Sequence, residues 1–285
     1  MTHPVYQTLI RADQLAERLA HRPMPVLLDA SFDLADPSAG ERAYRAEHVP
    51  GSHHVDLDRD LCAARTGRNG RHPLPERTAL ARTMGRLGIT PATQVVVLDR
   101  QGSVYAARLW WMLRWMGHAA VAVLDGGLAA WRDSGGPVTA EASAAPQPVE
   151  PYPTRESLAG TIDASALASR LDALTLIDAR SAERYRGETE PIDPVAGHIP
   201  GALNRFHRSN LGPDGRFKSP DALRREFTET LAGRPASEVV HSCGSGVTAC
   251  HNMLAMEHAG LAGSLLYPGS WSEWSADPGR PVARG

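Results

Sequence analysis

A chain of 285 residues, 42% hydrophobic and 22% charged, can bury a sizeable core and fits about two globular domains. A formal charge of −2 makes no electrostatic case for a nucleic acid or an anionic membrane as partner. Three scattered cysteines (Cys62, Cys243 and Cys250) without a CxxC pair suggest neither a disulfide framework nor zinc, so a reducing, cytoplasmic setting is expected, with no metal and no cofactor.

The N-terminal stretch MTHPVYQTLIRADQLAERL lacks the basic and long apolar regions of a signal peptide. It leads into a helix over ADQLAERLA and a strand at VLLDAS. EHVPGSHHVDLD follows, then a helix over RTALARTMGRLG ending at Gly88, and a strand at QVVVLD. A second helix, VYAARLWWMLRWMG, carries Trp110, Trp111, Met112 and Trp115, expected as a buried face, and VAVLDGGLAAW closes the run. The most apolar stretch here is broken by Arg114 and His118, so no membrane span is expected.

The segment GGPVTAEASAAPQPVEPYPTRESLAG is rich in proline and small residues and reads as an extended linker. After it the same order returns: DASALASRLDA as a helix, LTLIDARS as a strand, GHIPGALN, a helix over PDALRREFTETLAG, then EVVHSC and LLYPGSWSEW. Asp29 and Asp178 are 149 positions apart, and His48–His198 and Gly51–Gly201 are each 150 apart. Trp131 and Trp274 are 143 apart. Four landmarks in one order at nearly constant offset identify a duplicated domain. Short apolar strands alternating with helices predict an α/β fold, a mainly parallel sheet with helices on both faces in each copy. The expected limits are 1–140, a linker at 141–157, and 158–285.

The two copies differ chemically where EVVHSCGSGVTACHNMLAMEHAG aligns on QVVVLDRQG. Cys243 ends a β-branched strand and is followed by Gly244-Ser245-Gly246-Val247-Thr248 and a helix from about Ala249. Loop N–H groups and the positive end of a helix dipole both favour a thiolate there, which makes Cys243 a candidate nucleophile. The first copy has Asp99 in that place and is expected to be non-catalytic in itself. Cys250, about two helical turns on, is expected to be buried packing. An arginine six residues after the cysteine, which a cysteine-dependent phosphatase needs, is replaced by Ala249.

Taken together, the tandem domains, the DA-S and H-[IV]-PG motifs, DGG-W/GSW-EW and the loop CGSGVTA resemble the rhodanese family of sulfurtransferases over nearly the whole chain. Within the family, CGSGVTA is similar to the loop of the 3-mercaptopyruvate branch. Thiosulfate-preferring members have Arg and Lys after the cysteine, where this chain has Gly244 and Ser245. The resemblance implies that Cys243 takes sulfur from a small-molecule donor, 3-mercaptopyruvate, as a persulfide. The acceptor would be a thiol such as thioredoxin or glutathione, or cyanide. It implies that the N–H groups of Gly244, Gly246, Val247 and Thr248 hold the sulfur charge. Ser245, His72 and Asp58 would form an acid–base relay, the last two supplied by the first copy, and Arg184 would grip the donor carboxylate. His48 and His198 are assigned to structure. The pattern's second arginine after the Glu-Pro is absent from GETEPIDP, and Arg186 is the candidate to replace it. Its pocket tyrosine is displaced, with Val104 at the matching place and Tyr105 beside it. The alternatives are a thiosulfate:cyanide sulfurtransferase using Arg71 or Arg184 for the sulfonate, and a non-catalytic sulfur-carrier module.

Overall fold

The computed structural model describes residues 4–285. Met1, Thr2 and His3, which open the stretch read above for a leader, lie outside the described residues. The chain divides into two compact units. The first gathers the chain up to Cys62 with Pro75–Leu158 and Asp214–Arg216, and the second Ala63–Leu74, Ala159–Pro213 and Phe217–Gly285.

In the first unit, β1 (Leu9–Ile10), β2 (Val26–Asp29), β3 (Ser52–His54), β4 (Val95–Leu98) and β5 (Val121–Leu124) form one parallel sheet in the order β1-β5-β4-β2-β3. The helices are α1 (Ala12–Leu19), α2 (Ala39–Ala46), α3 (Leu57–Asp60), α4 (Arg77–Arg86), α5 (Val104–Trp115) and α6 (Gly127–Asp133).

The second unit has β6 (Gly160–Thr161), β7 (Thr175–Asp178), β8 (Leu203–Asn204), β9 (Val239–Ser242) and β10 (Leu265–Leu266), all parallel in the order β6-β10-β9-β7-β8. Strand for strand this is the first order again. Its helices are α7 (Ala164–Ala168), α8 (Ala182–Arg186), α9 (Pro220–Leu231), α10 (Ala249–His258) and α11 (Ser270–Trp274). The middle strands β4 and β9 are buried along their whole length, as a parallel sheet covered on both faces requires.

The repeat extends to side chains. His48 Nδ1 lies 2.7 Å from the Tyr44 carbonyl and stacks on that ring at 4.1 Å, while His198 Nδ1 lies 2.7 Å from the Tyr185 carbonyl and stacks at 3.8 Å. Trp131 Nε1 donates to the Pro137 carbonyl and Trp274 Nε1 to the Pro281 carbonyl, so each buried indole keeps its polar atom satisfied. Both histidines are therefore structural.

Two sequence expectations are refined. The helix expected over DASALASRLDA stops at Ala168, where Ser169 Oγ donates to the Ala166 carbonyl and turns replace helix. The linker is extended but tied to α4: Val149 N–H donates to the Gly85 carbonyl and Tyr152 N–H to that of Ala81. A Cβ on Gly85 would sit 2.8 Å from the Glu150 carbonyl oxygen, so glycine permits this approach. Trp110, Trp111 and Met112 are buried as expected, and Trp115, half-buried, lies under Arg77. Among the described residues no helix is long and apolar enough to cross a membrane.

Candidate active site

Cys243 follows β9, the central strand of its sheet, at the carboxyl end where parallel sheets gather their ligand sites. The short segment Gly269–Ser272 holds the loop from one side. Ser270 Oγ accepts the Cys243 N–H at 3.1 Å, and Trp271 and Ser272 N–H donate to the carbonyls of Cys243 and Gly244. Gly246 has a φ of +75°, and a Cβ there would press into the Pro268 carbonyl. That tight turn is what glycine supplies. Cys243 is 2% exposed, and α10 begins at Ala249 as expected. Cys250 is fully buried, its thiol donating to the Gly246 carbonyl at 3.3 Å.

The equivalent loop of the first unit holds a carboxylate of its own. Asp99 Oδ1 accepts the N–H groups of Gln101 and Ser103, and Oδ2 those of Tyr105 and Ala106, at 2.8–2.9 Å. Four backbone donors converge on one carboxylate, which is a nest for an anion. Burial pushes the Asp99 carboxyl above its ordinary range, and the four N–H groups oppose that rise. The first unit thus fills its own nest with a fixed side chain.

His72 reaches the same site. In chain order it lies inside the first copy, yet Ala63–Leu74 packs with the second unit. Arg71 N–H donates to Ser272 Oγ at 2.9 Å, and His72, 1% exposed, places Nδ1 2.7 Å from Ser245 Oγ. An imidazole in contact with a hydroxyl two residues from a thiol has the geometry to exchange a proton with it. Asp58 lies in α3, in the first unit, and is half-buried.

Two guanidinium groups come to Gly244. A Cβ there would stand 3.0 Å from Arg71 Nη2 and 3.6 Å from both terminal nitrogens of Arg184. Two carboxylates given no role from the sequence hold them. Arg184 Nη2 donates to Glu190 Oε1 at 2.7 Å and lies 3.5 Å from Asp193 Oδ2, while Arg71 Nη1 donates to Asp193 Oδ1 at 2.6 Å. Burial pushes Glu190 up, but the Arg184 guanidinium and the Asp193 N–H outweigh it and keep it below its ordinary range. Burial raises Asp193, opposed by Arg71.

Arg180, also unassigned from sequence, is buried between Asp178 at 2.7 Å and Glu190 at 3.3 Å, over the Trp271 ring. A buried charge is tolerated only with such partners. The only sequence signal for this cluster was the density of acids in GETEPIDP beside DARS. Tyr105, the displaced pocket tyrosine, is buried edge-on to Phe32 in the first unit, and burial raises its phenol. Among the described residues no group of His, Cys, Asp and Glu is placed to hold a metal ion.

A cysteine between strand and helix, in the second of two like parallel α/β units, defines the class of protein. The family model for the rhodanese-like domain matches residues 11–134 and again 163–277. The chain belongs to the rhodanese family. It is 49% identical over 282 residues to a probable 3-mercaptopyruvate sulfurtransferase of Pseudomonas aeruginosa, covering 97% of this chain and 98% of that one. It is 40% identical, over 98% of each, to a putative thiosulfate sulfurtransferase, SseB, of Mycobacterium tuberculosis. Among solved structures it is similar to SseA of Escherichia coli, described as a 3-mercaptopyruvate sulfotransferase. The TM-score is 0.78 and the identity 29%, over 93% of this chain and 99% of that one.

Proposed function

We propose that this protein is a sulfurtransferase that moves sulfur from 3-mercaptopyruvate through a persulfide on Cys243 to a thiol acceptor. The observation that carries the reading is the contact between His72 and Ser245 in the loop that bears Cys243. The similarity to the probable 3-mercaptopyruvate sulfurtransferase of Pseudomonas aeruginosa supports the donor.

The Cys243 thiolate attacks the donor's sulfur. A sulfur–sulfur bond forms, the carbon–sulfur bond breaks, and its electron pair leaves on carbon as the enolate of pyruvate. The proton from the donor thiol ends on that carbon, and pyruvate departs. Ser245 and His72 are suited to carry this proton. The N–H groups of Gly244, Gly246, Val247 and Thr248 hold the negative charge on sulfur, as four such groups hold Asp99. Arg184 binds the donor carboxylate. In the second half-reaction an acceptor thiolate attacks the outer sulfur, the new persulfide leaves, and the Cys243 thiolate is regenerated. This is covalent catalysis in ping-pong order.

Thioredoxin, glutathione or cyanide would serve as acceptor, and a cytoplasmic setting suits a reduced cysteine. The domain limits 1–140, 141–157 and 158–285 go with this reading. The second reading, a thiosulfate sulfurtransferase, is favoured by the Mycobacterium tuberculosis relative and by the two arginines at Gly244. Steady-state kinetics with both donors tests the choice, with mass spectrometry of the donor-treated protein. Higher kcat/KM for mercaptopyruvate and one added sulfur on Cys243 are expected. A strong preference for thiosulfate would overturn the donor, and no added sulfur would overturn the mechanism.

A further inference from the structure

We infer that Arg71 is the second guanidinium that binds the donor's anionic end, paired with Arg184 over Gly244. This rests on the reading of Cys243 as a nucleophile toward an anionic donor. After the Glu190-Pro191 pair, where the family pattern places a second arginine, this chain has Ile192 and then Asp193. Asp193 is 8% exposed, and its carboxylate is met by Arg71 at 2.6 Å and Arg184 at 3.5 Å. An acid stands where a base was expected, and it recruits a base from a remote loop 122 positions away.

Arg71 is fixed at both ends of its residue. Its N–H is bound to Ser272 Oγ, its guanidinium to Asp193, and its neighbour His72 contacts Ser245. Its side chain stays 17% exposed and that of Arg184 18%, enough for a small solute to meet both. With Gly244 at the contact, no side chain stands between the guanidinium nitrogens and the backbone of the residue after Cys243. A carboxylate bound there would sit in a fork made by two planar cations. Arg186 does not take this place. It pairs with Glu188 at 2.6 Å, both side chains well exposed at 40% and 54%.

Charge-selective alkylation of Cys243 tests the assignment without depending on the donor. Iodoacetate and iodoacetamide react alike, the thiolate sulfur bonding to carbon as iodide leaves, but only iodoacetate carries a carboxylate. The rate ratio of iodoacetate to iodoacetamide is measured on the full-length protein and set against that of glutathione. It is expected to lie above the glutathione ratio, and to fall about tenfold in Arg71→Ala, the loss of one charge-assisted pair.

Uncovering Asp193 could lower the ratio by repulsion alone, so Arg71→Ala/Asp193→Asn is measured as well, with Arg71→Gln where the alanine variant does not fold. Direct binding by Arg71 leaves the double variant as low as the single one. A ratio unchanged in Arg71→Ala, or restored by the added Asp193→Asn, would overturn the inference. Failure of the donor reading has a separate signature, in which neither mercaptopyruvate nor thiosulfate is turned over while the alkylation ratio still falls.

Discussion

His72 Nδ1 and Ser245 Oγ lie 2.7 Å apart although 173 positions separate them in the chain. The pair couples a histidine from a Gly/Arg-rich loop to the turn that carries Cys243 at the end of β9.

If the pair works as one relay, its members are not additive. His72→Ala and Ser245→Ala should each lower kcat for mercaptopyruvate by about 10²-fold, the usual worth of a positioned proton carrier. The double variant should be little slower than either single one. Multiplicative losses, or equal loss of melting temperature and rate, would return both residues to a structural role.

Gly246→Ala should destabilise the second unit by about 2 kcal/mol or more, because φ is +75° and the added Cβ meets the Pro268 carbonyl. A fall in melting temperature, with slower persulfide formation on Cys243, is the expected result. An unchanged melting temperature would mean that the turn relaxes freely.

Asp99→Asn replaces one of two accepting oxygens with an amide that faces N–H donors. The loss should be about 2 kcal/mol, the cost of orphaning buried donors. Thermal denaturation checks it, and equal stability of the variant would show that the four bonds add little.

Acid should weaken the fold through two histidines. Burial lowers His241 to about 3 and His207 to about 4, against 6.5 for an ordinary imidazole. The unfolded chain therefore binds protons that the native chain refuses. The stability these neutral rings carry is whole above pH 6.5 and is lost as the pH falls toward 4 and then 3, by about 1 kcal/mol per pH unit for each. Melting temperature between pH 7 and 5 should drop, and His241→Gln should flatten the drop. An equal slope in that variant would remove His241 from the account.

The duplication was legible because Asp29, His48, Gly51 and Trp131 each do a local structural job, and local jobs impose fixed spacing. Cys243 was legible for the same reason, since strand, turn and helix N-terminus follow one another along the chain. The cation cluster was not. Arg71 was named as a candidate cation, but its pairing with Asp193 forms only when a loop closes over 122 positions, and no periodicity marks that closure. Arg184 was named by resemblance, whereas the carboxylates that hold it were not. The helix over DASALASRLDA was drawn too long because Ser169 turns its hydroxyl back onto the chain, an event that apolar spacing does not register.

The Asp99 loop has a practical meaning. Its carboxylate behaves as a tethered ligand, permanently docked in its own turn by four backbone N–H groups. One half of the molecule thus carries a template that can be tried on the other: a planar carboxyl group, fully enclosed, read by backbone N–H groups. Compounds that mimic an acetate on a short stem, presented to the turn after Cys243, are the chemical matter this architecture suggests for a selective probe.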